Sequence, residues 1–204
     1  LKEFERAIET LESTFSIEPP DATTFCHMGE CYEKLSQMEK AKSYYQKAID
    51  LDERCADAYL GMAVVLDDQD QSTQALSFSR VAYEFDPQNE EYLTVFIKLL
   101  TKLDMFEEAL ERAEAFIHQK PHDEETWTLM IDIYVKLKKY NEGLQYADQI
   151  ITTAQKSYAN GDMSYWTYIS FLNQAIDIKK QNAEAVNTYN QSAIQLQFPS
   201  FNNN

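Results

Sequence analysis

Apolar residues in this chain fall in short helical stretches, and the stretches recur every 34 residues. Phe25, Tyr59, Leu93 and Trp127 stand at that interval, all large and apolar. So do Tyr32, Leu66, Leu100 and Tyr134. Small residues form a column at Ala41, Ala75, Ala109 and Gly143, and a further column runs through Ala48, Ala82, Phe116 and Ile150. Apolar spacing near 3.6 predicts two helices in each unit. The first, A, falls at roughly 22–35, 56–69, 90–103 and 124–137. The second, B, falls at roughly 39–51, 73–85, 106–118 and 140–153. The same size and polarity in each column means stacked copies of one supersecondary unit. Each copy touches only its neighbours, so the 204 residues read as one quasi-linear array. Such an array is mostly surface, and its usual business is holding other molecules.

The columns also say how the helices fit. Phe25, Met28, Gly29 and Tyr32 share one face of an A helix, and Ala41, Tyr45 and Ala48 share one face of the following B helix. Gly or Ala where two helices cross lets the backbones approach, and the large residue opposite fills the gap. These positions are core and are assigned no chemistry. Pro87 and Pro121 follow B helices, where proline stops a helix without breaking one. Glu53 stands at that place in the first full repeat, which leaves packing alone to set the turn there.

Both ends depart from the period. Residues 1–20 read as a B helix without its A helix, with Ala7 one period before Ala41 and Pro19 one period before Glu53. Near the other end Ile169, Leu172, Ile176, Ala185 and Tyr189 fit a fifth unit, displaced by eight residues through a longer connection near Thr152–Tyr165. Asn160-Gly161 is a turn signal within that connection. Asn173 and Ser192 replace core positions, as expected of a degenerate terminal repeat that shows a polar outer face. The tail 199–204 is expected to fray. Gly and Pro are scarce, at 4 and 5 residues, which disfavours turn-rich β folds.

Charge narrows the partners. A net charge of −16 repels nucleic acid, whose affinity comes from phosphates neutralised by Lys and Arg, and it repels anionic membrane surfaces. It favours solubility and a basic partner. No apolar run approaches the ~20 residues of a membrane span. Three cysteines (Cys26, Cys31 and Cys55) make no disulfide framework, which points to a reducing, cytoplasmic compartment. The start at Leu1 has neither a signal-peptide core nor an initiator Met, as a trimmed piece would not, so the first absence says little about the parent protein.

These columns resemble the tetratricopeptide repeat (TPR). Its helix A carries a large residue, an apolar residue, Gly or Ala, and Tyr; its helix B carries Ala, an aromatic, Ala and then Pro. Phe25, Met28, Gly29, Tyr32, Ala41, Tyr45 and Ala48 follow that pattern. So do Tyr59, Met62, Ala63, Leu66, Ala75, Ala82 and Pro87, and Trp127, Met130, Tyr134, Gly143 and Ala147; the third copy is looser, with Ile97 at the small position of helix A. The resemblance covers about 22–155 strongly. It divides the chain into a lone B helix at 1–20, repeats at 21–54, 55–88, 89–122 and 123–156, a degenerate repeat or cap at 157–198, and a tail at 199–204. It implies an all-α, right-handed superhelical solenoid of antiparallel helix pairs, with A helices lining a concave groove and B helices outside. The function it implies is non-enzymatic scaffolding, the groove taking a peptide or helix of another protein.

In that geometry four columns of helix A face the groove. They are Thr23, Asp57, Glu91 and Glu125; Cys26, Leu60, Thr94 and Thr128; Glu30, Val64, Lys98 and Asp132; and Glu33, Asp67, Thr101 and Val135. They hold seven carboxylates and one lysine. A concave surface of one sign focuses its field, so the expected ligand is a basic or amphipathic segment, with Leu60 and Val64 as an apolar foothold. Groove carboxylates on a wholly acidic chain also read as a plain solvated face. One TPR subtype holds a chaperone's C-terminal carboxylate through Lys and Asn on successive A helices. Thr23 and His27 stand at its first-repeat positions here, with Glu91 and Thr94 in the third-repeat groove, which argues against that role.

Enzyme chemistry finds little purchase. His118 and His122 have the four-residue ligand spacing of a helix, but Pro121 lies between them. Asp67-Asp-Gln-Asp70 faintly resembles a calcium loop, with Ser72 and Phe78 where Gly and Glu belong, so it reads as a polar turn. Cys26 and Cys31 diverge by about 140° around a helix and do not converge on one metal. No phosphate loop or nucleophile elbow appears, and no cofactor or metal is implied. Besides the scaffold, two other functions are open. One is a regulatory array that switches an attached effector. The other is self-assembly, as a homo-oligomer, through exposed solenoid ends such as the unpaired face at 1–20. The tail, with Phe198 and Phe201, is a further candidate occupant of the groove.

Overall fold

The computed structural model describes residues 2–15, 17, 19–120, 123–137, 139–161, 164, 165, 168–170, 172, 173, 175–177, 179, 180, 183, 184 and 187. Pro121, His122, Ala185, Tyr189, Ser192, the tail with Phe198 and Phe201, and the side chains of Ala147 and Ile150 lie outside the described residues. Among those described, nine helices follow in order: α1 (Lys2–Thr14), α2 (Ala22–Lys34), α3 (Met38–Leu51), α4 (Ala56–Asp68), α5 (Ser72–Phe85), α6 (Glu90–Lys102), α7 (Phe106–Gln119), α8 (Glu124–Lys136) and α9 (Tyr140–Asn160). The chain divides into two compact bodies, Leu1–Arg112 and Ala113–Asn204.

In the first body α2 packs on α3 and α4 on α5, α1 flanks α2, and the pairs join through α3 against α4 and α5 against α6. The A-to-B turn is the same each time. The carbonyls of Tyr32, Leu66 and Leu100 accept from the N–H groups of Gln37, Gln71 and Met105 at 2.8, 2.9 and 2.8 Å. Between them Ser36, Asp70 and Asp104 sit at φ 57°, 58° and 58°, one period apart. This is the Schellman closure, which needs one left-handed residue after the helix; short polar side chains accept that conformation better than branched ones. Asp70, in the stretch that faintly resembles a calcium loop, is such a residue.

The B-to-A turn corrects one expectation. Packing alone does not set the turn at Glu53: the Asp52 carboxylate accepts from the Arg54 N–H at 2.9 Å, and its carbonyl accepts from Cys55 N–H at 3.0 Å. Asp86 does the same one period later, toward Gln88 N–H at 3.1 Å and Asn89 N–H at 3.2 Å. An aspartate that bonds the backbone two residues on builds the turn with or without proline. Asp21 and Asn89 then cap α2 and α6 by accepting from the N–H groups of Thr24 and of Glu91 and Tyr92.

The small columns are fully buried at Ala41, Ala48, Ala75 and Ala82. Tyr45, 1% exposed, lies between the two A helices: a methyl group on Gly29 would stand 2.6 Å from its ring, and one on Gly61 2.2 Å. Its hydroxyl donates to Glu33 at 3.0 Å. Gly29 belongs to the small column, whereas Gly61 belongs to none of the columns read from the sequence.

In the second body α8 packs on α9, with Trp127, Met130, Ile133 and Tyr134 buried. Asp123 caps α8 through Thr126 N–H, and Lys139 N–H closes the A-to-B turn on the Tyr134 carbonyl at 3.0 Å. The expected connection after residue 153 is helix instead. α9 runs 21 residues to Asn160, and Gly161, at φ 80°, ends it. Asn-Gly does stop an element, and the eight-residue displacement is taken up by about two further turns of α9. Beyond it Ile169 and Leu172 are half-buried, but Ile176 is 59% exposed while Ala175 is buried, so the buried stripe passes one residue before the expected column.

Candidate peptide-binding face

The four candidate columns project from the A helices, and the structure divides them by exposure. In the second-position column Thr23, Asp57, Glu91 and Glu125 are exposed. Asp57 accepts a short hydrogen bond from the Tyr92 hydroxyl. The fifth-position column is a correction. Cys26 is 2% exposed, Leu60 7% and Thr94 8%; Thr128 alone is half-buried. Leu60 packs with Ala82 and Tyr92, and the next A helix covers it, so it is floor rather than foothold. Cys26 is covered in turn by Cys55, thiol to thiol at 3.5 Å, and burial pushes its thiol far up, with Cys55 adding to the shift. Cys55 is the neighbour that helical spacing from Cys26 to Cys31 did not reveal.

The ninth-position residues Glu30, Lys98 and Asp132 are exposed and Val64 is half-buried. In the twelfth-position column Glu33 holds the Tyr45 hydroxyl and, at 2.9 Å, Lys34. Asp67 accepts from Lys102 and from Ser72, each at 2.7 Å. Burial works to raise the Asp67 carboxyl; these two hydrogen bonds, with the Lys102 charge, outweigh it and hold it below the ordinary value. Thr101 turns its hydroxyl back to the Ile97 carbonyl at 2.8 Å.

In the first body these carboxylates feel one another. Glu30 is exposed as a residue, yet the surrounding protein displaces enough water to push its carboxyl up. His27 opposes the shift, while Asp57, Glu33 and Glu91 add to it. In the second body burial likewise raises Asp132, against Lys136. A carboxyl that is raised in the fold holds its proton more tightly than the unfolded chain does. Its contribution to stability therefore falls as pH rises from the ordinary value of 4.5 through the raised one. Glu30→Gln is expected to raise the thermal midpoint near neutral pH and to remove that part of the pH slope. Asp67 and Glu108, both lowered, give the opposite slope, so the readout is the difference between wild-type and variant melts over about pH 4 to 7.

A cavity of about 550 Å³ lies elsewhere, in the second body, lined by Glu114, Ile117 and His118 of α7, Trp127 of α8, and Tyr146, Asp148, Gln149, Thr152 and Thr153 of α9. No candidate column enters it. Glu114 stands three periods after Glu12, each within the helix that precedes an A helix with a large aromatic in its first turns.

Helix pairs closed by one repeated turn define a helical-repeat fold. The tetratricopeptide repeat model matches residues 22–55, and the PPR repeat model matches 125–151. Among solved structures, YrrB, described as a TPR protein with an unusual peptide-binding site, is 18% identical with a TM-score of 0.61, over 88% of this chain and 97% of its own. MamA is 16% identical with a TM-score of 0.58, over 90% of this chain and 86% of its own. The first TPR of Spaghetti (RPAP3), bound to the HSP90 peptide SRMEEVD, is 19% identical with a TM-score of 0.54, over 58% of this chain and 94% of its own. No curated protein sequence matches this chain. Residues 22–55 thus carry a tetratricopeptide repeat, and the chain has the fold of tetratricopeptide repeat structures. Among the described residues no helix is long and apolar enough to cross a membrane.

Proposed function

We propose that this protein is a non-enzymatic interaction module whose A-helix face holds a basic or amphipathic segment of another protein. The observation that carries this is the coupled carboxylate set of Glu30, Glu33, Asp57 and Glu91, where burial and like charge together push Glu30 up. Four acids held close, with Lys34 on Glu33 and His27 near Glu30 only partly offsetting them, cost the free protein stability, and a cationic ligand relieves that cost. The fold is compatible with a peptide as the ligand, since YrrB is described with a peptide-binding site and the first TPR of Spaghetti (RPAP3) with a bound peptide. The peptide on the latter, SRMEEVD, is rich in carboxylates, and this face has the opposite requirement. The PPR match at 125–151 raises RNA, which PPR repeats read base by base. A chain of net charge −16 lacks the cations that phosphate binding needs.

The test is a titration of one basic amphipathic helix-forming peptide and one acidic peptide, each at low and moderate salt. The basic peptide is expected to bind more tightly and to weaken with salt. Asp57→Lys with Glu91→Lys should cost it at least about tenfold, which is about 1.4 kcal/mol. Because Asp57 also holds Tyr92, Glu91→Lys alone is measured beside it, with thermal melts of both. Tighter binding of the acidic peptide, or indifference to both variants, would sink the proposal.

A further inference from the structure

The aromatic stack of the first repeat recurs three periods later, but the two lysine positions that cover it do not recur as lysine. In the first repeat Tyr32 stacks on Tyr44 at 5.2 Å and 14°, with Phe25 beside Tyr44 at 6.0 Å and Glu12 acting on Tyr32 from the preceding helix. Two lysines lie over these rings: Lys47 Nζ is 4.3 Å from the Tyr44 centroid and 5.6 Å from that of Phe25, and Lys40 Nζ is 5.1 Å from that of Tyr32. These distances are within the range at which an ammonium is held by a ring face.

The same positions three periods on are Tyr134, Tyr146, Trp127 and Glu114. Tyr134 stacks on Tyr146 at 5.1 Å and 29°, and Trp127 lies 5.9 Å from Tyr146. Glu114 Oε1 accepts from both tyrosine hydroxyls at 2.9 Å, and Glu114 lines the cavity beside them. The lysines have no counterpart: Glu142 stands where Lys40 does, and Gln149 stands where Lys47 does. Among the described residues no lysine or arginine lies over Tyr134 or Tyr146. What the repeat has there instead is the 550 Å³ cavity, a volume that admits a ligand head group.

We propose that this cleft is a cation site filled from outside, by the guanidinium or ammonium of an Arg or Lys side chain on a partner polypeptide. The rings and Glu114 take the charge. Asp148 is already paired with Lys179 at 2.7 Å, and Gln149, Thr152 and Thr153 line the cleft along α9 with groups that hydrogen-bond a main chain. The site is built from α7, α8 and α9 and does not involve the carboxylates of the A-helix face, so it stands or falls separately from the function proposed above.

The decisive variant is Gln149→Lys, which gives the fourth repeat the internal cation of the first. The wild-type protein is titrated at low salt with an acetylated, amidated tri-arginine peptide, followed by tryptophan fluorescence and by the aromatic NMR signals of Trp127 and Tyr146. Binding is expected to perturb both rings and to weaken about tenfold in Gln149→Lys and in Glu114→Gln. Gln149→Met, of similar length without charge, should retain it, and Asp57→Lys with Glu91→Lys should leave it unchanged. Full-affinity binding by a folded Gln149→Lys variant would overturn the proposal. So would saturation that leaves the Trp127 and Tyr146 signals unmoved. Methylguanidinium is titrated in parallel: affinity equal to that of the peptide would make this a small-amine site and overturn the polypeptide assignment.

Discussion

Alanine at position 61 is expected to destabilise the fold by about 1–3 kcal/mol. In an ordinary helix interior Gly→Ala gains about 1 kcal/mol, because alanine restricts the unfolded chain and favours the helix. The sign reverses here because the new methyl would stand 2.2 Å from the Tyr45 ring. That ring cannot withdraw: it is 1% exposed, it already meets the space beside Gly29, and its hydroxyl is tied to Glu33. Urea unfolding measures the cost. In a Tyr45→Leu background, where the ring is gone, the same Gly61→Ala change is expected to be neutral or stabilising. An increase in stability from Gly61→Ala in the wild-type chain would mean that the close approach does not constrain the fold.

Phe96→Ala is expected to cost more, about 3–5 kcal/mol, the range for deleting a fully buried aromatic. Phe96 is 1% exposed and stacks on Tyr83 at 5.2 Å and 22°. The Arg80 guanidinium lies 5.0 Å above its ring and reaches Glu108 through two hydrogen bonds, at 2.6 and 3.2 Å. That ion pair is partly solvated and is worth about 0–1 kcal/mol, so the ring carries most of the effect. Arg80→Met, which keeps the apolar stem and drops the charge, separates the two: a loss within about 1 kcal/mol is expected. A loss equal to that of Phe96→Ala would assign the stability to the ion pair instead.

The helix pairs were legible because small columns such as Ala41 and Ala75 and large ones such as Phe25 and Trp127 are set by packing that recurs from pair to pair. What escaped the sequence depends on a neighbour or on a negative. The turn at Glu53 looked unsupported because proline was the marker sought, while Asp52 does the work that Asp86 does one repeat later. Leu60 looked available because its column faces the groove in the parent geometry; Tyr92 of the next A helix covers it, and only packing reveals that. Asn160-Gly161 looked like the middle of a loop because Asn-Gly marks a stop without saying how far the preceding helix has run. The cleft beside Tyr146 was least legible of all, since its signal is the lysine that Gln149 is not.

The left-handed residues at 36, 70 and 104 have a consequence for how such a chain lengthens. Each joint is closed by hydrogen bonds between the end of one helix and the three residues that follow it, and it borrows nothing from the next copy. A duplicated 34-residue stretch therefore carries its own hinge, correctly set, wherever recombination places the break. Gain or loss of a whole repeat disturbs only the two faces that meet at the seam. Gain or loss of a few residues must be absorbed within a helix, as the eight-residue excess before Gly161 is absorbed by α9.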